Sequence, residues 1–267
     1  MNIHSTAVVD PQAEVHSTAS IEPYAVIDGP VRIGAETTIG AHTVVSGHTS
    51  IGYGNTIGSF ASIGAPPQDL HYRGEPTELI IGNNNHIREY VSIHRGTVDG
   101  SGKTVIGNEN MIMAYSHIAH DCRIGDHVIM ANVATLAGHV EIGGHVNLGG
   151  LVAVHQFCRI GDYTYIGGMS GISMDVPPFV ILSGTRNRMR ISGINKIGLR
   201  RNGLDKKTIS RLDQAFKIIF RTPDLLTKDA LDKTMQEVPD CPQVRQLVDF
   251  FRTSTRGVVK RIEEEWE

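Results

Sequence analysis

Residues 118–141 decide the fold, and they form four successive hexads, IAHDCR, IGDHVI, MANVAT and LAGHVE. Each hexad begins with a large apolar residue, and its fifth place is usually small. A period of six cannot come from an amphipathic helix, whose apolar face repeats every 3.6 residues. A repeat of this length is instead typical of a solenoid built from short strands.

The six-residue spacing extends through most of the chain. It runs from Ile3 to Ile63, resumes in phase at Ile81, slips by one residue and continues from Ile106 to Ile172. Three short strands joined by tight corners make one triangular coil of about eighteen residues, and such coils stack at roughly 4.8 Å. We predict that the first place fills the interior and the small fifth place the cramped space beside a corner. Glycine often takes the second place, and we expect these glycines to supply the positive φ of the corners.

Two polar stretches interrupt the spacing. Residues 66–79 (PPQDLHYRGEPTEL) predict a loop that leaves one corner, and residues 98–103 (VDGSGK) predict a shorter excursion. Excursions from a rigid solenoid often carry binding groups, although a tolerated insertion is the alternative.

The C-terminal part of the chain has a different pattern. Apolar residues at helical spacing follow the repeat, and prolines separate them. The first such helical face consists of Ile209, Leu212, Phe216 and Ile219. We therefore predict a β-helix over residues 1–185 and a helical domain over residues 190–267.

Composition excludes several classes of protein. The chain has 267 residues, 40% of them hydrophobic and 20% charged, so it can bury a core, and disorder is excluded. Its net charge of −3 argues against a nucleic-acid partner. Three cysteines, no apolar run long enough for a transmembrane segment and no signal pattern at the N-terminus predict a cytoplasmic protein.

The thirteen histidines are unevenly distributed, and the eighteen-residue coil predicts which of them meet. His120, Gly138 and Gln156 fall in one column, and Asp121 shares the next column with His139. A position without a side chain between His120 and Gln156 predicts a recess of about 10 Å. Third and fourth places of a hexad should project outward, which makes this group accessible from a cleft.

These residue types suit proton transfer and oxyanion binding. An imidazole can remove a proton from a hydroxyl, a neighbouring carboxylate can orient it, and a glycine N–H can face a developing oxyanion. Cys122 is the obvious nucleophile, but it lies in the inward fifth place, which favours a buried, inert thiol. Cys158 lies in the same column, about 10 Å away, too far for a disulfide.

Several ordered motifs carry a specific resemblance. The segments HIAHDC at 117–122, LAGHV at 136–140, VHQF at 154–157 and DVPP at 175–178 resemble the acyl-carrier-protein:UDP-N-acetylglucosamine O-acyltransferases. Further matches are QDL at 68–70, GEPT at 74–77, IHRGT at 93–97 and STRG at 254–257. The resemblance spans essentially the whole chain. It implies an all-β left-handed parallel β-helix with a small α-helical C-terminal domain, a handedness that the period alone does not fix.

The resemblance also implies an activity. These hexapeptide-repeat enzymes open lipid A biosynthesis by moving a 3-hydroxyacyl group from acyl carrier protein to the 3-hydroxyl of UDP-N-acetylglucosamine. They are homotrimers with active sites between adjacent β-helices, and they need neither a cofactor nor a metal ion. The family assigns the general base to His120, its orientation to Asp121 and the oxyanion site to the Gly138 N–H.

Further positions match family residues that bind the substrates. The predicted sugar-nucleotide ligands are Asp69, His71, His94, His117, His139, His155, Gln156, Asn195 and Arg201. Gly168 matches a place that limits acyl length, where glycine leaves room for a longer chain. Two residues depart from the family pattern, because His71 replaces a common lysine and Ile197 an acidic residue. The basic run from Arg186 to Lys207 predicts a landing place for acidic acyl carrier protein or a diphosphate, or else a solvated face.

Alternative functions remain at this point. Relatives of the same fold use a 3-amino UDP-sugar and form an amide. A γ-type carbonic anhydrase-like enzyme would instead bind zinc through the clustered histidines. A purely structural scaffold is a third reading, and the related N-acyltransferase would carry an additional uridine-binding domain before Ile3.

Overall fold

A computed structural model describes residues 2–185, 188–223 and 225–262. The chain winds into a triangular prism with one sheet on each of its three faces, and the strands pair in parallel except at the last strand of one sheet. Four helices in the described ranges follow the prism. Neighbouring strands on one face usually pair eighteen residues apart, as His117 does with Thr135 and Ile118 with Leu136. The predicted coil is therefore the structural unit.

Each face of the prism is one sheet. Sheet 1 contains β1 (Asn2–Ile3), β4 (Ser20–Ile21), β7 (Thr38–Ile39), β10 (Thr56–Ile57), β13 (His86–Ile87), β16 (Met111–Ile112), β19 (Ile129–Met130), β22 (Asn147–Leu148), β25 (Tyr165–Ile166), β27 (Val180–Ser183) and β28 (Arg190–Ile194). Sheet 2 contains β2 (Val8–Val9), β5 (Val26–Asp28), β8 (Val44–Ser46), β11 (Ser62–Ala65), β14 (Ser92–His94), β17 (His117–Ile118), β20 (Thr135–Leu136), β23 (Ala153–Val154) and β26 (Gly171–Ile172). Sheet 3 contains β3 (Glu14–Val15), β6 (Arg32–Ile33), β9 (His48–Ile51), β12 (Glu78–Ile81), β15 (Lys103–Ile106), β18 (Arg123–Ile124), β21 (Glu141–Ile142) and β24 (Arg159–Ile160).

The core fills the inside of the prism. First-place residues such as Ile63, Ile118 and Leu136 are completely buried, and each contributes about 1.5–3 kcal/mol of hydrophobic free energy. The fifth-place residues Cys122 and Ala134 are buried beside them, as the pattern predicts. Burial raises the pKa of the Cys122 thiol to about 12, which confirms an inert cysteine.

The reason for the second-place glycines differs from our expectation. Positive φ occurs at the fourth place of the hexad, at non-glycine residues such as Tyr115, Asp121 and His139. The second-place glycines instead allow close stacking of coils. A Cβ at Gly125 would lie 2.8 Å from the backbone N of Gly144 in the next coil. The sequence therefore identified the corners correctly but assigned their glycines the wrong role.

Four helices follow the prism: α1 (Lys196–Arg201), α2 (Lys206–Arg221), α3 (Thr227–Glu237) and α4 (Pro242–Thr253). The side chain of Asp205 caps α2 by accepting from Thr208 N, and the predicted apolar face of α2 is buried. Residues 190–194, which precede the helices, form β28, and β28 pairs antiparallel with β27.

The chain returns to the prism after α4. Asp175 forms a β-bridge with Val258, and Ile191 forms one with Ile262. No helix in the described ranges combines the length and apolar character that crossing a bilayer requires. The division of the chain into a β-helix domain that ends at residue 185 and a helical domain that begins at residue 190 stays a prediction.

Candidate active site

The prism has three edges, and each edge collects one set of corners. Edge 2/3, between sheets 2 and 3, carries residues 119–122, 137–140 and 155–158. Edge 3/1 carries residues 125–128, 143–146 and 161–164, and edge 1/2 carries residues 131–134, 149–152 and 167–170. Predicted site residues occur on or beside all three edges.

His120 and Gly138 are in direct contact on edge 2/3. A Cβ built on Gly138 would lie 2.6 Å from His120 Cε1 and 2.7 Å from Nε2. The imidazole therefore occupies the space above the glycine. The eighteen-residue spacing had predicted an empty recess at this place. Within the described chain the Gly138 N–H donates no hydrogen bond, so it can serve an oxyanion.

Asp121 orients His120. Its Oδ2 lies 2.9 Å from His120 Nδ1, which makes Nδ1 the protonated nitrogen and leaves Nε2 as an acceptor. The Asp121 side chain is only 1% exposed, whereas we expected it to face a cleft. The correction has a local cause, because the excursion at residues 98–103 folds over it.

The excursion and the residue before it supply the donors to this carboxylate. Asp121 accepts from the N–H and hydroxyl of Thr97 at 3.1 and 2.7 Å, and from those of Ser101 at 2.8 and 3.2 Å. Burial raises the pKa of Asp121, but the hydrogen bonds from His120, Thr97 and Ser101 outweigh it and hold the pKa far below its ordinary value. The carboxylate is therefore a fixed negative charge behind the imidazole.

Two further histidines lie beside this edge on sheet 2. His94 and His117 meet edge-to-face with centroids 4.9 Å apart, and Ser92 Oγ lies 2.7 Å from His117 Nδ1. Burial, followed by the neighbouring His117, lowers the pKa of His94 to about 4. Burial also lowers the pKa of His117. Both rings are neutral at pH 7, and the buried Nδ1 of His94 has no hydrogen-bond partner among the described residues.

The loop at 66–79 lies near the same edge. The His71 N–H donates to Asp69 Oδ1 at 2.9 Å, and this bond together with the His71 side chain lowers the pKa of Asp69. His71 Nδ1 is 3.2 Å from the same oxygen.

His139 packs edge-to-face on His120 at 5.1 Å and stacks on Phe157 at 4.4 Å. Burial lowers the pKa of His139.

His155 and Gln156 are exposed at the C-terminal end of edge 2/3. The His155 Nδ1 lies 3.0 Å from Arg256 Nη2 and 3.2 Å from the Gln156 carbonyl oxygen. Arg256 comes from the segment after α4, so the C-terminal region completes this end of the edge.

Three predicted site residues do not join His120 within one chain. Gly168 lies on edge 1/2, where its Cβ would be 3.2 Å from Gly150 O. Asn195 lies beside edge 3/1, because its side chain donates to Tyr163 O at 2.8 Å and accepts from Gly198 N at 3.0 Å. Arg201 ends α1, the helix whose N-cap is Asn195. Ile197 is exposed on α1, and Arg186 lies outside the described residues.

Among the described residues, one group of side chains has the ligand types and the spacing to hold a metal ion. One potential ligand atom from each of His120, Asp121 and His139 lies within 4.8 Å of the others. Both oxygens of Asp121 already accept hydrogen bonds from Thr97, Ser101 or His120. A metal would have to displace these bonds, so the carboxylate suits imidazole orientation better than coordination.

Sequence reasoning missed Thr97, Ser101 and the contact of Arg256. The excursion at 98–103 is visible as a phase slip, and Asp121 follows it by one coil, so a link between them was available as a signal. The position of Arg256 had no such signal, because it depends on how the chain returns from α4 to the prism.

Comparison with known proteins agrees with this geometry. Residues 103–138 match a model of bacterial transferase hexapeptide repeats, and residues 175–259 match domain 2 of UDP-N-acetylglucosamine O-acyltransferase. Acyl-[acyl-carrier-protein]–UDP-N-acetylglucosamine O-acyltransferases from Thermodesulfovibrio yellowstonii and Syntrophobacter fumaroxidans are each 50% identical to the chain. They align over 97% of this chain and over 99% and 100% of their own lengths.

A solved structure gives the same result. The crystal structure of UDP-N-acetylglucosamine O-acyltransferase from Moraxella catarrhalis superposes with a TM-score of 0.93 at 46% identity, covering 97% of this chain and all of that one. The left-handed parallel β-helix with a small helical C-terminal region is thereby confirmed. The chain belongs to the family of acyl-[acyl-carrier-protein]–UDP-N-acetylglucosamine O-acyltransferases.

Proposed function

We propose that the chain transfers a 3-hydroxyacyl group from acyl carrier protein to the 3-hydroxyl of UDP-N-acetylglucosamine, the first step of lipid A biosynthesis. Family membership over nearly the full length supports the reaction. The single observation that carries the mechanism is the contact of His120 with Asp121 on one side and Gly138 on the other.

His120 is the general base in this proposal. The bond between Nδ1 and the Asp121 carboxylate leaves a lone pair on Nε2. Nε2 removes the proton of the sugar hydroxyl as its oxygen attacks the thioester carbonyl carbon. The fixed charge of Asp121 stabilises the imidazolium that forms, as a buried carboxylate does beside a catalytic histidine.

Gly138 receives the oxyanion. The carbonyl oxygen gains negative charge as the new C–O bond forms, and the free Gly138 N–H can donate to it. Collapse of this intermediate breaks the C–S bond and expels the carrier thiolate. The His120 Nε2–H then protonates the sulfur, which restores the base and releases the ester and the thiol. The reaction requires no covalent acyl-enzyme.

The remaining polar groups near the edge are proposed to bind the sugar nucleotide. The set on or beside edge 2/3 is Asp69, His71, His94, His117, His139, His155 and Gln156. His94 and His117 are neutral at pH 7, so they would bind hydroxyl and amide groups rather than the diphosphate. The side chain of Asn195 already has two intrachain partners, so its contact would require it to exchange one of them.

A homotrimer would complete the site. Gly168 lies on edge 1/2, and Asn195 and Arg201 lie beside edge 3/1, so these residues flank sheet 1 on its two sides. His120 lies on edge 2/3, which is formed by the other two sheets. We propose that edge 2/3 of one protomer packs against the sheet 1 face of the next. Sheet 1 and edge 1/2 carry the exposed apolar residues that such packing would cover: Tyr115, Ile129, Val133, Leu151, Tyr165 and Met169.

This arrangement closes a ring of three protomers through one repeated contact. It would put Gly168 of one chain beside the acyl group that His120 of its neighbour handles. The exposed lysine and arginine side chains of α1 and α2 would offer a docking surface for acidic acyl carrier protein. We also propose a cytoplasmic location, since Cys122, Cys158 and Cys241 are all unpaired thiols.

An assay of purified protein tests the reaction. Acyl carrier proteins with 3-hydroxyacyl groups of graded length are supplied with UDP-N-acetylglucosamine or with its 3-amino analogue. We expect ester formation with UDP-N-acetylglucosamine. Amide formation alone would replace the proposed acceptor with the amine. If a chelator that removes zinc abolishes the activity and added zinc restores it, a metal-dependent mechanism would replace the proposed one.

A further inference from the structure

The C-terminal segment of residues 254–258 is anchored on the prism beside His155. Ser254 Oγ donates to Asp175 Oδ2 at 2.8 Å, and Asp175 forms a β-bridge with Val258. Between these anchors Arg256 points back along sheet 2. Its Nε donates to the Ser173 carbonyl at 3.0 Å, and its Nη2 reaches His155 Nδ1 at 3.0 Å.

The contact with Arg256 decides which nitrogen of His155 carries the proton. A guanidinium has only donors, so Nδ1 must be the acceptor, and in a neutral imidazole the proton is then on Nε2. The Gln156 carbonyl, 3.2 Å from the same Nδ1, would favour the opposite tautomer with the proton on Nδ1. Arg256 and the Gln156 carbonyl therefore compete for one nitrogen, and the competition sets whether Nε2 donates or accepts.

We propose that Arg256 is a positioning residue that holds His155 in its Nε2–H form, so that edge 2/3 presents a hydrogen-bond donor to the diphosphate of the sugar nucleotide. This inference rests on the proposed function, in which His155 binds that substrate. Phosphate oxygens accept hydrogen bonds and cannot donate them. The Nδ1–H tautomer would turn a lone pair on Nε2 towards the phosphate and repel it. The second bond of Arg256, to Ser173 O, fixes the guanidinium in place.

Two measurements on the full-length protein test the role of Arg256. The first is ¹⁵N NMR of histidine-labelled protein without substrate, with His155 assigned from a His155→Gln sample. The second is steady-state kinetics with UDP-N-acetylglucosamine. Arg256→Met keeps the aliphatic stem and removes every donor, while Arg256→Lys keeps donors without an acceptor. Ser254→Ala is the matched control, because it weakens the same anchor without touching His155.

We expect the Nε2–H tautomer of His155 in the wild type, in Ser254→Ala and in Arg256→Lys, and the Nδ1–H tautomer in Arg256→Met. The KM for UDP-N-acetylglucosamine should rise about tenfold in Arg256→Met with kcat changed less than about twofold, and Arg256→Lys should restore it to within about threefold. If Arg256→Met does not fold, Arg256→Gln, too short for both contacts, should show the same change.

Three results would overturn the proposal. They are a wild-type His155 protonated on Nδ1, an unchanged tautomer in the variant without donors, and a KM rise in Ser254→Ala equal to that in Arg256→Met. The last result would mean that Arg256 only anchors the segment. The NMR measurement needs no substrate, so absent turnover of UDP-N-acetylglucosamine would overturn the proposed function while the tautomer still decided the role of Arg256.

Discussion

The imidazole of His120 lies where a side chain on Gly138 would otherwise be. Gly138→Ala introduces a Cβ 2.6 Å from His120 Cε1, closer than real contacts allow, so the ring must move. The φ of Gly138 is not in the left-handed region, and alanine can adopt its backbone conformation. We expect kcat/KM to fall by about 100-fold, the scale of general-base catalysis, with the melting temperature nearly unchanged.

A matched control is available in the neighbouring hexad. Gly144 occupies the same third place on edge 3/1, and its Cβ would meet nothing closer than Asp126 O at 3.5 Å. Gly144→Ala should keep wild-type turnover. Equal losses in the two variants would show that alanine disturbs the coil generally rather than displacing His120.

Replacing His120 itself tests the base. His120→Ala should lower kcat by about 1,000-fold, within the range attributed to proton transfer. The side chain is outside the core and 15% exposed, so the elution volume in size-exclusion chromatography should not change. Near-normal turnover in this variant would exclude the proposed mechanism.

The buried His94 predicts a dependence of stability on pH. Its pKa falls from 6.5 to about 4 on folding, mainly through burial. Between these values the unfolded chain binds a proton that the folded chain does not, so stability is lost as the pH falls from 6.5 towards 4. The loss attributable to His94 is at most about 3 kcal/mol.

His94→Gln removes the titrating group and with it this part of the pH dependence of stability. Melting temperatures measured between pH 7 and pH 4 should fall less steeply in the variant than in the wild type. His48→Gln, at an exposed histidine on β9, is the control and should follow the wild-type curve. Parallel curves for His94→Gln and the wild type would show that His94 is not the group that binds the proton.

At the scale of the element, the coil rather than the single strand is the unit that the sequence specifies. Strands of two residues have little stability alone, yet an aliphatic residue in every first place builds a continuous core. The eighteen-residue spacing therefore predicted that His120 shares a column with Gly138 and that Asp121 lies beside His139. It left the space over Gly138 empty, where the structure places the His120 imidazole. The prediction required only the period and the strand spacing.

Predictions from the eighteen-residue spacing fail where the chain leaves the repeat. The burial of Asp121 depends on Thr97 and Ser101, whose positions follow from the conformation of an excursion and not from the period. The contact of Arg256 with His155 depends on the path of the helical region back to the prism. Periodicity fixes neither path, because no neighbouring coil dictates where such residues go.

Coil stacking explains the second-place glycines and gives a stability test. Gly125→Ala would bring a Cβ to 2.8 Å from Gly144 N and 2.9 Å from Gly143 C. Backbone atoms cannot yield easily, so we expect a loss of about 2 kcal/mol, or several degrees in the melting temperature. Gly171→Ala is the control, because its nearest neighbour is Thr185 Cγ2 at 3.6 Å. Equal melting temperatures for the two variants would contradict close stacking as the reason for the glycine.

At the scale of the whole molecule, the separation of Arg201 from His120 within one chain predicts that two protomers share each site. In mixed trimers of His120→Ala and Arg201→Ala chains, some sites combine the intact His120 of one chain with the intact Arg201 of its neighbour. Random assembly of equal amounts makes about a quarter of the sites complete. We therefore expect co-refolded mixtures to regain about a quarter of the wild-type turnover, although each parent is severely impaired.

Mixing His120→Ala with Asp121→Asn is the matched control for this experiment. Both changes lie on edge 2/3, so every chain in such a mixture has a defective edge and no combination restores a site. Turnover should remain at the level of the parents. Recovery in both mixtures would reflect assembly effects, whereas no recovery in either would mean that Arg201 serves the His120 of its own chain. Recovery in the first mixture alone requires that edge 2/3 of one protomer meet the α1 end of the next.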